Sequence, residues 1–204
     1  ILQGGKIVQD VLDLILLNVR VPRERRGDYM AQIAANRLGI RRLGELFENW
    51  STEQIKVGGT AIINAVNRRM RIGIAELPDG EYHFKDFLDN DGMGTKDIPV
   101  MVQIRIEGEE IWVDFTGSGN QVKGNLNNSF AGLQASVLFA LKVLVDPDGP
   151  TNHGMLEPVH ITAPARSVVN ASFPAATASR AQTCQRIIDV MLGALATAVP
   201  DRVI

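Results

Sequence analysis

The stretch Phe115–Asn128, FTGSGNQVKGNLNN, decides how the middle of this chain folds. It concentrates glycines and side-chain amides between two regular patterns. Before it, apolar residues alternate with polar ones over 111–115, the period of two that is typical of a strand with one buried face. After it, apolar residues recur at helical spacing over 130–144, with Asn128 or Ser129 placed to cap the first turn. The sequence therefore predicts a strand, a polar glycine loop and an apolar helix.

A glycine loop ahead of a helix can offer backbone N–H groups to an anion or a developing oxyanion. The spacing here matches neither standard nucleotide fingerprint. A phosphate loop requires Gly-Lys-Ser/Thr, whereas Lys123 precedes Gly124 and Asn125 follows it. A dinucleotide turn that began with Gly117 and Gly119 would have its third glycine at residue 122, whereas the sequence has it at Gly124. A ligand-binding loop and a solvated turn with positive φ angles both remain open.

Composition indicates a globular protein. The 204 residues, 45% of them hydrophobic, can bury one large core or two small ones. The net charge of -2 and the 5% aromatic content give neither the basic surface nor the stacking platform of a nucleic-acid binder. The single cysteine, Cys184, cannot form an internal disulfide, and no Cys/His cluster has zinc spacing, so we expect no metal site and a cytoplasmic location.

No stretch has the composition of a membrane span. The longest apolar run, residues 136–145, contains Lys142 and is far shorter than the ~20 residues that a membrane helix needs. The chain opens at Ile1, without a methionine, and carries no C-cap glycine at its end. We expect it to be a piece of a longer protein.

The first part of the chain is predicted to be helical. Pro22 separates two helical patterns, because the residue before a proline avoids the helical region. Ser51 and Gln54 have the spacing of a capping box, in which each side chain bonds the backbone of the other. The predicted helices cover residues 6–19, residues 22–49 and the residues after Ser51 up to about residue 77, which together form a helical segment, 1–77.

A polar stripe runs along the second predicted helix. Asp28, Gln32 and Asn36 stand four residues apart and so lie on one helix face. Apolar neighbours such as Ile33 and Ile40 predict substantial burial around it, and buried amides need a partner for every donor and acceptor. The stripe is interpreted either as a hydrogen-bonding row that orients a substrate or a neighbouring protomer, or as an ordinary solvent-facing stripe.

Strands are predicted after the turn Pro78-Asp79-Gly80. Alternating residues continue to residue 116, with Glu107-Gly108-Glu109 as a tight hairpin turn. Residues 86–97 are predicted to form a flexible acidic loop. A calcium loop is the alternative, but no glutamate occupies the twelfth position and the flanking segments are strands.

The last helix is predicted over residues 178–199 and is apolar on nearly all sides, which indicates an interior helix. Polar residues lead into it and form a second concentration of potential chemistry at a helix N-terminus. The alternative is structural: Arg186 pairs with Asp189 and Ser179 caps the helix. The predicted fold class is α+β, with long N-terminal helices, a mainly antiparallel sheet in the middle and a buried C-terminal helix; residues 78–204 form the α+β segment around the loop 116–128.

Four stretches of the chain stand out together: GDYMAQIAANR at 27–37, VDFTGS at 113–118, QVKGNLN at 121–127 and TCQRI at 183–187. They resemble one family, the B-type subunits of hydantoinase and 5-oxoprolinase, which are related to subunits of acetone and acetophenone carboxylases. The resemblance covers nearly the whole chain in the right order. Family members are much longer, and their upstream His-rich stretch and glycine-rich C-terminal segment have no counterpart here.

The resemblance implies ATP-dependent opening of a cyclic amide such as a hydantoin or 5-oxoproline. ATP and Mg would be bound by a partner A-type subunit or domain, and a divalent metal by residues outside this segment, which would be inactive alone. The expected assembly is an oligomer without nucleic acid or membrane. The alternatives are a subunit of an ATP-dependent ketone carboxylase and a structural, oligomerisation segment without chemistry of its own.

Candidate site residues come from the loop, the helix stripe and the start of the last helix. Amides and hydroxyls suit a planar ring because each can donate or accept along a fixed edge. Asp114 is either a base or a side chain that holds the loop by accepting its N–H groups. We expect the loop and the start of the last helix to meet, with Arg180 or Arg186 within reach of Asn125 or Asp114. The catalytic candidates are Asp114 and Arg180, and the substrate-binding candidates are Thr116, Ser118, Asn125, Asn127, Asp28, Gln32, Asn36, Thr183 and Gln185.

Overall fold

The helical N-terminus and the sheet-containing remainder form two units in the computed structural model, which describes residues 1–203. The units are residues 1–59 and 60–204, and the boundary lies inside the third helix. The change from helices to strands comes later, between the end of the third helix at Ala75 and the start of the next strand at Gly80.

The first unit contains a short hairpin, the first two predicted helices and the start of the third. The first helix is shorter than the predicted 6–19, because residues 6–7 pair in the hairpin. The hairpin pairs residues 2–3 with residues 6–7. The capping box is confirmed: the Ser51 N–H donates to Gln54 Oε1 at 2.9 Å, and the Gln54 N–H donates to Ser51 Oγ at 3.2 Å. The elements are β1 Leu2–Gln3, β2 Lys6–Ile7, α1 Gln9–Leu17, α2 Pro22–Asn49 and α3 Thr52–Ala75.

The polar stripe on α2 is exposed in this unit. Asp28, Gln32 and Asn36 all face solvent, and Asp28 forms an ion pair with Arg25 at 2.9 Å. The expected burial around the stripe is wrong for Ile40, which is 73% exposed. A period of 3.6 places residues on one face, but it does not determine which faces another element covers.

The second unit is built on a four-stranded sheet in the order β3-β4-β5-β6. The predicted α+β class is confirmed, with one difference: β5 and β6 are parallel, so the sheet is mixed. A helix separates these two strands in sequence, and such a crossover returns the chain in the same direction. The strands are β3 Gly80–Asn90, β4 Lys96–Glu107, β5 Glu110–Asp114 and β6 Val159–Thr162.

The acidic loop predicted at residues 86–97 is mostly strand. β3 continues to Asn90 and β4 begins at Lys96, which pairs with Asn90 and leaves residues 91–95 as the turn. Leu88 pairs with Ile98 and both are buried, so burial and strand pairing prevail over the local turn tendency of the acidic residues.

Two helices cover one face of the sheet. α4, Phe130–Val145, begins at Ser129, whose Oγ accepts from the Gly132 N–H at 3.2 Å. α5, Arg180–Leu195, packs against β3, β4 and α4, and is buried along one side, although it is four residues shorter at its end than predicted. No helix within residues 1–203 is both long enough and apolar enough to cross a membrane.

The C-terminal half of α3 is fixed to the end of α4. The Arg69 guanidinium donates to both carboxylate oxygens of Asp146 and lowers the pKa of that carboxyl. One turn along α3, Gly73 lies so close to α4 that a Cβ there would be 2.7 Å from the carbonyl oxygen of Val145. A side chain at residue 73 would therefore push the two helices apart.

This contact predicts opposite effects for two glycines of α3. Gly73→Ala should lower the free energy of unfolding by about 1–3 kcal/mol through overpacking. Gly58→Ala adds a Cβ that has no neighbour within 4 Å and should raise it by about 0.5–1 kcal/mol through the entropy of the unfolded chain. Urea midpoints measure both, and equal shifts for the two variants would contradict the close contact.

Candidate functional site

One buried asparagine folds the loop 116–128 back on itself. Asn127 has no exposed surface. Its Oδ1 accepts from the Val122 N–H at 2.7 Å, and its Nδ2 lies 2.9 Å from each of the carbonyl oxygens of Val122, Gly124 and Ala176. These bonds use the whole amide, so we assign Asn127 to holding the loop rather than to contacting a substrate.

Seven of the thirteen backbone donors of this loop bond within the protein. The Gly119 N–H donates to Pro99 O at 2.8 Å, and the Gln121 N–H donates to Arg166 O at 2.7 Å. Donors of residues 116, 118, 122, 124 and 128 also have protein acceptors. A phosphate nest needs free, converging N–H groups. These seven groups are not free to form one, and a ligand-binding loop stays one of the two alternatives that the sequence leaves open.

A buried carboxylate joins this loop to the β3–β4 turn. Asp91 accepts from the N–H groups of Met93 at 2.8 Å, Thr95 at 2.9 Å and Gly124 at 3.1 Å. Burial alone would raise its pKa, but these hydrogen bonds hold the pKa of Asp91 at about 2. Gly124 is required here because a Cβ would lie 2.0 Å from the Asp91 carbonyl oxygen.

The loop and the start of α5 meet, as predicted. The Ser179 N–H donates to Asn125 O at 2.9 Å, and the Thr183 hydroxyl donates to Leu126 O. Thr183 is fully buried, so its polar atom is used between the loop and the helix. The loop thus ends against the first two turns of α5.

A cleft of about 630 Å³ opens beside this junction, between the end of β3 and α5. We call it the amide cleft, because three of its polar residues carry a side-chain amide. Leu126 forms its apolar floor. Its lining residues are Leu88, Asp89, Asn90, Leu126, Ala181, Gln182, Gln185, Arg186 and Asp189.

Arg186 is held by carboxylates of two elements. Its guanidinium donates to Asp86 on β3 and lies 3.8 Å from Asp189. The predicted ion pair between Arg186 and Asp189 is thus present but long, and Asp86 is the closer partner of Arg186. Ser179 precedes α5 without a side-chain capping bond, which corrects its predicted capping role.

Three further candidates, Asp114, Thr116 and Ser118, hold the start of the loop. Asp114 Oδ1 accepts from both the N–H of Thr116 at 2.9 Å and its hydroxyl at 2.8 Å, the loop-holding alternative. Ser118 Oγ accepts from the Met101 N–H and donates to Met101 O, each at 3.1 Å. Asp114 also lines a separate cavity of about 210 Å³ with Arg105, and not the amide cleft.

The candidates that remain free to meet a ligand are few. Asn125 and Arg180 are exposed at the junction, and Gln185 lines the amide cleft, with its Nε2 donating to Asp189 at 3.1 Å. Sequence reasoning missed Gln182 and Asn90. Position alone could have indicated them: Gln182 lies in the first turn of α5, and Asn90 is the last residue of β3, beside a turn.

Other titratable groups lie on the outer face of the sheet. His160 bonds Glu110 at 2.9 Å, and this bond, with help from Arg71, lowers the pKa of Glu110. Within residues 1–203, no three His, Cys, Asp or Glu side chains are grouped so that they could hold a metal ion.

Comparison with protein families agrees with the resemblance seen in the sequence. The family described as Hydantoinase B/oxoprolinase matches residues 1–204, and the chain belongs to this family. The provisionally named B subunit of a D-/L-hydantoinase from Pseudomonas sp. (strain NS671) is 32% identical over 204 residues, covering 95% of this chain and 34% of the relative. The 5-oxoprolinase of Saccharomyces cerevisiae is 32% identical over 170 residues, 81% of this chain and 13% of that protein. The chain spans about a third of the first curated relatives it matches, 35% and 34%.

Solved structures share the fold. The crystal structure of ATP-dependent caprolactamase from Pseudomonas jessenii superposes with a TM-score of 0.87 at 27% identity, covering 98% of this chain and 34% of that one. The nucleotide-free structure of an acetone carboxylase gives a TM-score of 0.79 at 15% identity, covering 97% and 28%. The second likeness concerns the fold alone.

Two asparagines of the loop should differ in their effect on stability. Asn127→Ala leaves the N–H of Val122 and three carbonyl oxygens without this partner, and should lower the free energy of unfolding by about 3 kcal/mol or more. Asn125→Ala, the matched control, removes an exposed side chain and should change it by less than about 0.5 kcal/mol. Similar urea midpoints for both variants would contradict the role assigned to Asn127.

The Asp91 hydrogen bonds predict a pH dependence. Because the folded pKa is depressed to about 2 from an ordinary 3.8, Asp91 stabilises the fold fully above pH 3.8, and this contribution is lost as the pH falls through 2. Asp91→Asn lacks the charge and turns one amide donor toward the N–H groups, so the variant should be less stable than the wild type at pH 6. The difference between their free energies of unfolding should narrow toward pH 2. Denaturant unfolding at pH 6, 4, 3 and 2 measures this difference, and a constant difference would contradict it.

Proposed function

We propose that this chain forms one wall of the substrate site in the B-type subunit of an ATP-dependent cyclic-amide hydrolase. The observation that carries the proposal is the amide cleft, which lies where the loop 116–128 meets α5 in a chain of the Hydantoinase B/oxoprolinase family. The relatives named as hydantoinase, caprolactamase and 5-oxoprolinase support this reaction class.

The cleft has the polar groups that a ring amide needs. A cyclic amide presents one N–H donor and one carbonyl acceptor along a fixed edge. Asn90, Gln182 and Gln185 each offer both a donor and an acceptor on the walls, while Leu126 supplies an apolar surface for the ring. Asn125 and Arg180, exposed at the junction, would contact the part of the substrate that projects from the cleft.

The chain's own residues would bind and orient the ring. Ring opening adds water across the amide C–N bond. It gives a carboxylate together with an amine from a lactam or a urea from a hydantoin, and its barrier falls when the reacting groups are held in the reactive orientation. Asp114 is engaged by Thr116 and lines another cavity, so we assign it to supporting the loop. The hydrolytic base would come from outside this segment.

ATP and Mg belong, in this proposal, to an A-type partner subunit or domain. Two observations support the division: seven N–H groups of the loop are bonded within the protein, and two relatives are named as B or beta subunits, which implies a partner. When bound there, ATP would activate the amide carbonyl by phosphorylation. A divalent metal would likewise be held by residues outside the segment.

The test uses the full-length B-type protein with its A-type partner. ATP-dependent ring opening is measured with hydantoin, ε-caprolactam and 5-oxoproline, by release of the ring-opened carboxylic acid. The double variant Gln182→Ala/Gln185→Ala and the variant Arg180→Ala should each lower kcat/KM tenfold or more, about 1.4 kcal/mol of barrier. Gln134→Ala, at a half-buried glutamine of α4, is the matched control and should keep wild-type kcat/KM.

Each alternative function predicts a different outcome of this experiment. Wild-type kcat/KM in both the double glutamine variant and Arg180→Ala would make this segment a scaffold for oligomerisation. Absence of ring opening, together with ATP- and ketone-dependent incorporation of bicarbonate, would place the protein with the ketone carboxylases, whose acetone carboxylase member shares the fold. ATP hydrolysis by residues 1–204 alone would contradict the division of labour.

A further inference from the structure

The amide cleft carries an excess of negative charge. Asp89 and Asp189 line it on opposite walls, one at the end of β3 and one in the third turn of α5. Asp86, three residues before Asp89 on the same strand, approaches this cluster through its bond to Arg186. Three carboxylates thus accompany one guanidinium at this end of the cleft.

The guanidinium that lines the cleft is already neutralised. Arg186 bonds Asp86 and faces Asp189, and its Nε is buried without a hydrogen-bond partner among residues 1–203. A ligand carboxylate would compete with Asp86 and Asp189 for this guanidinium, and drawing its charge away from them would leave a partly buried carboxylate uncompensated. Arg186 is therefore unsuited to binding an anion in the cleft.

The remaining polar lining is uncharged. Asn90, Gln182 and Gln185 pair with a neutral amide edge, and they offer only dipoles to an anionic group. Arg180 is exposed at the first residue of α5, outside the lining. A carboxylate on the ring would meet Asp89 and Asp189 without a free cation among the described residues that line the cleft, and like charges raise the free energy of binding.

We infer that this site takes an uncharged cyclic amide, a hydantoin or a simple lactam, in preference to a ring that carries a carboxylate. The inference rests on the proposed function and deepens it, since it separates two substrate classes that the family relationship leaves together. Asp89 and Asp189 are the specificity-determining residues, and they act through charge rather than shape.

The experiment compares pairs of rings that differ by one carboxylate group. The first pair is 2-pyrrolidinone and 5-oxoproline, and the second is hydantoin and hydantoin-5-acetic acid. The full-length enzyme with its A-type partner should show kcat/KM at least tenfold higher for the neutral member of a pair. Asp89→Asn should reduce this ratio about threefold, and Asp89→Lys should reduce it tenfold or more.

Two controls separate charge from structure. Asp201→Lys reverses an exposed charge in the C-terminal turn and should leave the ratio at its wild-type value. Raising the salt concentration should lower the wild-type ratio, because exposed charges are screened over about 10 Å at 0.1 M salt. A merely structural role of Asp89 would not make the ratio depend on salt.

The outcomes distinguish the substrate preference from the proposed ring-opening function. Higher kcat/KM for the carboxylate-bearing members, or a ratio that Asp89→Lys leaves unchanged, overturns the inference while ring opening itself stands. Failure to open any of these rings, and ε-caprolactam as well, overturns the proposed function and the inference with it.

Discussion

The side-chain amide of Asn127 is the interaction on which the rest of the site depends. A loop of thirteen residues without regular structure must find partners for its backbone groups or leave them in water. Asn127 supplies an acceptor and two donors at one buried point, and it reaches Ala176, in the segment that leads into α5. One side chain therefore orders the loop and also places the start of the last helix beside it.

Asp91 adds a second fixed point from the opposite side. Its carboxylate joins the β3–β4 turn to Gly124, and a glycine is needed there for the backbones to approach. With the loop held at Gly124 by Asp91 and at Val122 by Asn127, its conformation is set before any ligand arrives. Such preorganisation lowers the entropy that binding would otherwise cost. The loop's role is then to place Leu126 and Asn125 at the cleft.

Much of this fold could be predicted from periodicity and local signals. The helix breaks at Pro22 and Ser51, and the hairpin at Gly108, are local events encoded within a few residues, so the elements lie where the pattern put them. Burial was harder to predict. The stripe from Asp28 to Asn36 is exposed because nothing in its own unit covers it, and no local pattern contains that information.

In the candidate site, too, burial could not be predicted from the local sequence. Asn125 and Asn127 are the same residue type, two positions apart in one loop, yet one is exposed and the other fully buried. The difference comes from contacts distant in sequence, with Ala176 for Asn127 and with Ser179 for the backbone of Asn125. Composition could therefore indicate that the loop and α5 meet. It could not indicate which side chains would hold the loop and which would stay free.

The use of charge in this unit explains why a binding role suits it better than a catalytic one. A general base must keep its carboxylate available to a proton, and an oxyanion site needs unpaired donors. Here Asp91 and Asp114 accept backbone N–H groups, Asp146 bonds Arg69, and Asp86 bonds Arg186. These carboxylates stabilise the structure, and the groups left at the cleft are neutral amides and two acids. Such a wall can recognise and orient a ring while the activation of its carbonyl takes place on residues contributed by the rest of the assembly.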